Sequence, residues 1–559
     1  MVLLETPRPA PIPASEDFPV TWEEPDDERG FWTIDRLHWP DPQPVILFDL
    51  MPEASINTAA AQYDLPIGFR ARRINTYLYS EMAPLPLPPQ ELEAMGKRAE
   101  AKIGAAVARL GELWENEWLP EVQAQIAFWD AFDLRGATMP ALLDHLGETV
   151  ARFRQVWDVH FTVAIPFLLA LSQFDELYRD LFGSDDALGA YKLLQGIDNK
   201  TVESGREQWR LSRKILGSPT VRRAFEELAA SELIPELERT DDGRAFLADL
   251  RAYLAIYGAR GDKFSTLVEP AWIEDPTPVI KNLKDFITQP ERDLEAERAE
   301  LVAERERAVA AAREKLASYP QPVVDEFEAL LAAAVVATVL SEDHGYWIDY
   351  SATYRVRRVL LEFGRRFAEA GLLDRADDVV HLTLDEIKLT AVSLPPLDRR
   401  DLVAERRAEI ERFRQVQAPP ALGTPPSGSP PDDPIMRAVG KFFGTPPAPS
   451  AEPGVLKGNP GSSGRIRGTA RVIRSLADAA RLGRREILVA ETTAPPWTPL
   501  FATAAAVVTD TGGVLSHCAV VAREYAIPAV VGVGTSTTAI SDGQLIEVDG
   551  DTGIVRILG

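Results

Sequence analysis

The spacing of apolar positions changes three times along the chain. In residues 1–88, short runs such as PVILFDL (44–50) and INTYLYS (74–80) are broken by prolines and aromatics, a texture that predicts short strands laid against a larger body. From 89 to 417 the spacing becomes helical. LEAERAELVAERERAVAAAREKL (294–316) sets Leu294, Leu301 and Ala308 seven residues apart amid mixed charge, predicting a long, solvated helix with one buried seam. Proline then dominates residues 418–454, where APPALGTPPSGSPPDDP and TPPAPSAEPG flank the amphipathic piece IMRAVGKFFG. Such density cannot continue a helix or a central strand, so the segment reads as a semi-rigid tether that extends ~3.1 Å per residue where it adopts polyproline II. In residues 455–559, GRIRGTARVI, REILVAETT, AAAVVTDT, PAVVGVG and QLIEVDGDTGIVRIL alternate with brief helical stretches and glycine turns, as in a compact α/β module. The expected architecture is therefore multidomain: a large, mostly helical domain with an N-terminal β-rich segment against it, a tether, and a C-terminal β/α domain.

Composition narrows the function. The formal charge of -25 over 559 residues disfavours nucleic acid and anionic membrane as partners, since both are held by clustered Lys and Arg. A single cysteine, Cys518, forms no intramolecular disulfide and suits a reducing cytoplasm. The N-terminus lacks a basic region followed by an apolar run, and ALLAAAVVATVL (329–340) is too short to span a bilayer. A cytoplasmic protein is expected.

Among only six histidines, His517 stands out in TDTGGVLSHCAVVAREYAIPAVVG (509–532). A strand ends at Asp510, Gly512 and Gly513 permit a sharp reversal, and SHCAVVAREYA reads as a helix stopped before Pro528. Ser516 suits the N-cap, which places His517 in the first turn. There the unpaired amides and helix dipole disfavour imidazolium and favour a neutral ring, and they tolerate an anion beside it. A neutral imidazole at an anion-tolerant position is a candidate phosphoryl carrier.

This stretch closely resembles the phosphohistidine signature of the swivelling domain shared by phosphoenolpyruvate synthases, pyruvate phosphate dikinases and rifampin phosphotransferases. The resemblance extends over GRIRGTARVI before it and DGQLIEVDGDTGIVRIL after it. It departs at Leu515, where the family usually has threonine, and at Cys518, where it usually has alanine. What the resemblance implies is that His517 receives a phosphoryl group at one site and the domain, carried on its tether, delivers it at another. Gly512, Gly513 and Ser516 would then attend the phosphoryl group, and Arg523 with Glu524 would orient or dock the helix.

The chain has no G-x-x-x-x-G-K-[ST] loop and ends at Gly559, directly after the module, without the pyruvate-handling barrel of the synthases. ATP and Mg²⁺ are accordingly expected on a separate ATP-grasp subunit, a layout that resembles phenylphosphate synthase. Weaker similarity to the substrate-binding part of rifampin phosphotransferase-like proteins covers 193–209, 257–280 and 342–387. It implies a helical receptor for a small hydroxylated acceptor, a phenol being the expected example. An antibiotic or pyruvate acceptor, or a non-catalytic binding protein, are the alternatives.

Within that receptor, EDHGYWIDY (342–350) is the densest chemical cluster. His344, Asp343 and Asp349 are candidate bases for the acceptor hydroxyl, while Tyr346, Trp347 and Tyr350 suit a flat aromatic substrate or plain core. Arg260 and Lys263 are candidates to neutralise phosphoryl charge. Asn199 and Lys200, with Thr201, read as a capped helix start. The remaining histidines have no spacing that suggests a metal site, and none is expected.

Overall fold

The computed structural model describes residues 10–50, 53–261, 267–426, 434–444, 447, 450–474, 476–493 and 497–558, and divides into two compact units. The first gathers the described residues of 1–106, 112–164 and 351–432, and the second those of 107–111, 165–350 and 433–559.

In the first unit, β1 (Phe31–Ile34), β2 (Ile67–Ile74), β3 (Tyr77–Pro84) and β4 (Ala421–Gly423) form one sheet in the order β2-β3-β1-β4. The run read as one strand, INTYLYS, is a hairpin instead. Asn75 and Thr76 both take positive φ, 50° and 71°, as a two-residue turn between right-twisted strands requires. PVILFDL is also corrected: Val45–Asp49 is a helix, led by Pro44 and burying Ile46 and Leu47. A proline-led apolar run of that length fits either element, and burial decided. The side chain of Asp27 is fully buried and takes Arg72 Nε at 2.9 Å and Arg70 at 3.2 Å, while both guanidinium groups rest over the Trp32 ring. The strand β4, from the segment expected as tether, pairs with β1, placing Leu422 opposite Trp32.

In the second unit, α1 (Lys200–Gly217), the helices Asp241–Tyr257, Thr277–Ile287 and Leu294–Leu316, and α2 (Gln321–His344) form a helical body, the segment expected as a receptor. The 294–316 helix has the bounds its periodicity predicts, with Leu294 and Leu301 buried and Ala308 half-buried. At its C-terminus α2 passes into a widened π turn, Gly345–Ala352, the kind of helical irregularity that recurs at functional sites. A second stretch of the expected tether is ordered as α3 (Pro434–Phe443).

The C-terminal sheet comprises β5 (Val455–Lys457), β6 (Asn459–Ser462), β7 (Arg465–Val472), β8 (Ile487–Ala490), β9 (Ala506–Thr509), β10 (Ala529–Val531), β11 (Leu545–Asp549) and β12 (Ile554–Ile557). They form an eight-stranded sheet in the order β5-β12-β11-β7-β8-β9-β10-β6, with β7 through β10 parallel and the flanks antiparallel. Strands β8, β9 and β10 are buried at every position, which is why they read as continuous apolar runs. The helix α4 (His517–Glu524) follows β9, so the histidine lies beyond the carboxyl end of a central parallel strand, where ligand sites of such sheets collect.

One helix among the described residues, Met139–Phe182, is long and apolar enough to cross a membrane, and 67% of its most apolar window is buried inside the protein.

Candidate active site

His517 is the first residue of α4, and Ser516 holds the N-cap backbone conformation without a side-chain capping bond. Among the described residues the Ser516 hydroxyl and His517 Nε2 are both buried without a hydrogen-bond partner. The other ring nitrogen is engaged. Nδ1 of His517 lies 3.2 Å from each carboxylate oxygen of Glu342, whose side chain is 5% exposed against 14% for the histidine. An ionised carboxylate only accepts hydrogen bonds, so Nδ1 carries a proton, and in the neutral ring the lone pair is then on Nε2.

Glu342 lies in α2 and is itself held. Burial pushes its carboxyl up, but the His517 ring, a hydrogen bond from Thr201 and the Arg260 charge outweigh that and keep it below the usual range. Thr201 links the last two, since Arg260 Nη2 donates to its hydroxyl at 3.3 Å. The position of Thr201 follows from the sequence: Asn199 caps α1, accepting from the amides of Thr201 and Val202 at 3.0 Å. Arg260 is 2% exposed, and its guanidinium rests 5.8 and 5.7 Å from the ring centroids of Tyr346 and Tyr350. Lys263 lies outside the described residues.

The candidate bases occupy different settings. Asp343 accepts from the Lys200 amide at 2.7 Å, and burial pushes its carboxyl up to about 6. His344 commits Nδ1 to the Leu340 carbonyl at 2.5 Å and packs against Phe167. Asp349 is fully buried beside Gly345 in the π turn. The aromatics serve the core first. Tyr346 belongs to the buried helical cluster and donates its hydroxyl to the Ile256 carbonyl at 2.8 Å, and Trp347 packs on the same cluster. The Tyr350 hydroxyl is buried without a hydrogen-bond partner among the described residues.

The glycine pair is placed differently from a phosphate cradle. The amides of Gly512, Gly513 and Leu515 donate to the carbonyls of Phe443, Phe442 and Lys441 at 3.2, 2.9 and 3.0 Å. These are the last carbonyls of α3, which lack intrahelical donors. In this arrangement the two amides are therefore taken by the helix end, and the glycines serve the close approach of two backbones. Arg523 donates to the carbonyls of Gly461 and Val514 at 2.8 and 3.0 Å and rests over Tyr191. It thereby braces the loop before the histidine. Cys518 is buried, and its thiol is pushed up to about 12, so it acts as a small apolar residue.

Among the described residues the module touches the helical body in several ways. Phe286 and Leu294 pack with Ala502, Trp209 and Tyr525. Leu515, at the position where the resembled family has threonine, lines a cavity with Leu171, Leu194, Thr338 and Ser341. Glu524 accepts the Gly196 amide on both oxygens, at 3.0 and 3.1 Å. Burial pushes the Glu524 carboxyl up to about 7, against the opposing pull of the Gly196 amide and of Arg523, Arg298 and Arg305. An unfolded glutamate ionises near 4.5, so between these values the folded chain holds the extra proton. Stability contributed here falls as pH rises across that window and levels off above it. The melting temperature of Glu524→Gln is expected to decline less than that of the wild type between about pH 5 and 8, and parallel curves would refute the assignment.

Comparison with known proteins places this geometry. Residues 160–342 match the family described as rifampicin phosphotransferase fourth domain, and 482–553 match the PEP-utilising enzyme mobile domain. The chain therefore carries one segment like each of these two domains, in that order.

Among individual proteins, it is similar to chondramide synthase cmdD of Chondromyces crocatus, 43% identical over 98% of this chain and 14% of that protein. It is also similar to the uncharacterised phosphotransferase YvkC of Bacillus subtilis, 29% identical over 75% of this chain and 50% of that protein. A rifampicin phosphotransferase of Streptomyces sviceus is 29% identical over 76% of this chain and 48% of its own length. The chain thus spans half or less of the length of these relatives.

Proposed function

We propose that this chain is the phosphoryl-carrying and acceptor-binding part of a dikinase-type phosphotransferase of the cytoplasm. The observation that carries the reading is the His517 ring, with Nδ1 on Glu342 and Nε2 unpartnered at the start of α4. In the first half-reaction, Nε2 attacks a phosphorus of ATP held with Mg²⁺ on a separate ATP-grasp subunit; the N–P bond forms as a P–O bond of the nucleotide breaks, and the remaining nucleotide leaves on that subunit. The first-turn amides of α4 and its dipole favour the charge that arrives.

In the second half-reaction the hydroxyl of a small organic acceptor, a phenol being the expected example, attacks phosphorus as the N–P bond breaks. Asp343 takes the hydroxyl proton, a role supported by a carboxyl pushed up to about 6. Arg260 supplies positive charge beside the Glu342–His517 pair. Dividing the reaction at a covalent intermediate replaces one transfer between distant reactants by two local ones.

A second reading changes the acceptor to an antibiotic. It is favoured by the match of residues 160–342 to a rifampicin phosphotransferase domain. Both readings are tested by incubating the chain with ATP, Mg²⁺ and a candidate ATP-grasp protein, then chasing with a phenol or a rifamycin. An acid-labile phosphoryl group on His517 that passes to one acceptor supports the function and selects the reading. Failure to label with any candidate donor favours a binding protein.

A further inference from the structure

Glu342 is 175 residues from His517 in the sequence, in the receptor and outside the module that bears the histidine. Its carboxylate is nevertheless the hydrogen-bond partner of the histidine ring, and Thr201 and Arg260 fix it from behind. Of the other charged groups nearby, Asp343 accepts from the Lys200 amide on one carboxyl oxygen, Lys200 pairs with Glu203, and on the histidine's own helix Arg523 and Glu524 hold backbone groups.

We propose that Glu342 is a positioning residue that keeps the Nδ1 proton on phosphorylated His517, and so makes the ring a good leaving group only where the module is docked on the receptor. The inference rests on the carrier reading above.

The chemistry is general. When the bond between Nε2 and phosphorus breaks, its electron pair stays on Nε2. A ring protonated at Nδ1 then departs as neutral imidazole, whereas an unprotonated ring must depart as an anion, a far poorer leaving group. Phosphorus bonds to the acceptor oxygen, the hydroxyl proton passes to Asp343, and the Nδ1 proton stays where it is, facing Glu342. Once the module leaves the receptor, the ring loses this carboxylate and the phosphoryl group is kept in transit. The arrangement parallels the carboxylate that orients the histidine of a hydrolytic triad, except that here the carboxylate is gained on docking.

The test charges the full chain with phosphoramidate, which phosphorylates histidine without a protein partner. Loss of the phosphoryl group to water and to phenol is then followed in the wild type, Glu342→Gln and Glu342→Asp. We expect Glu342→Gln, once charged to the same level as the wild type, to release the phosphoryl group at least tenfold more slowly, with Glu342→Asp in between. With only six histidines in the chain, ¹⁵N-histidine NMR reads the tautomer directly. The wild type should show His517 protonated at Nδ1, and Glu342→Gln should lose that preference. Should Glu342→Gln fail to fold, Thr201→Val, which removes a hydrogen bond to the same carboxylate, is expected to slow release in the same direction. A wild-type ring protonated at Nε2, or equal release from wild type and variants, overturns this inference alone. Absence of phosphoryl uptake on wild-type His517 overturns the carrier reading itself.

Discussion

His517→Ala is expected to lower phosphoryl transfer by at least about 10⁴-fold, the scale on which removal of a covalent nucleophile is felt. The loss should appear as complete absence of acid-labile phosphate on the chain, whether the donor is ATP with a partner or phosphoramidate. The fold should survive. The imidazole contributes a first-turn side chain, and after its removal Glu342 retains Thr201 and the Arg260 charge. A melting temperature close to that of the wild type, with no label, separates loss of the nucleophile from loss of structure. Label persisting on His517→Ala at the wild-type level would assign the carrier role to another residue.

Much of this site is local in sequence and so could be read there. The strand, glycine turn and helix around His517 lie within the 24 residues quoted for them, and each reports its conformation through near neighbours. The same holds for the Asn199 cap and for the 294–316 helix. Glu342 opens the EDHGYWIDY cluster yet is not among the sequence candidates, because a carboxylate among other acids reads as solvated surface. A signal did exist. Ala334, Thr338 and Glu342 recur every four residues and are all buried, so the glutamate continues the core-facing stripe of α2, where an unpaired carboxylate would be costly. Its partner, 175 residues away, could not be named from that stripe.

The expected tether shows the opposite limit. Proline content disfavours long elements, but it does not exclude short ones. Both β4 and α3 arise inside that stretch because each finds a partner elsewhere in the chain: β4 the edge of β1, and α3 the histidine loop. The amphipathic spacing of IMRAVGKFFG marks α3, whereas β4, three residues held by a distant edge, leaves little trace in local composition.

The contact between α3 and the histidine loop predicts the second large effect, in Gly513→Ala. A Cβ at Gly513 would lie 2.1 Å from the Lys441 carbonyl oxygen, 2.7 Å from its carbon and 3.0 Å from the Gly444 amide nitrogen. All three are backbone atoms, so no side chain can yield. Gly513 does not hold a positive φ, whereas Gly512 does, at 95°, so alanine at 513 reports the contact alone and alanine at 512 would mix contact with strain. To relieve the clash the end of α3 must retreat, and three amide-to-carbonyl bonds go with it. At about 1 kcal/mol each, the loss is about 3 kcal/mol, to be read from the denaturation midpoint at unchanged slope. The retreat also loosens a brace, because Lys441 of the same helix pairs with Asp175 at 2.9 Å and Arg437 with Glu176 at 3.0 Å on the receptor. Amide exchange at Gly512 and Leu515 should therefore quicken in Gly513→Ala, ahead of exchange in the central strands β8 and β9. If their exchange is unchanged, α3 does not hold the histidine loop, and some other contact must keep His517 against Glu342.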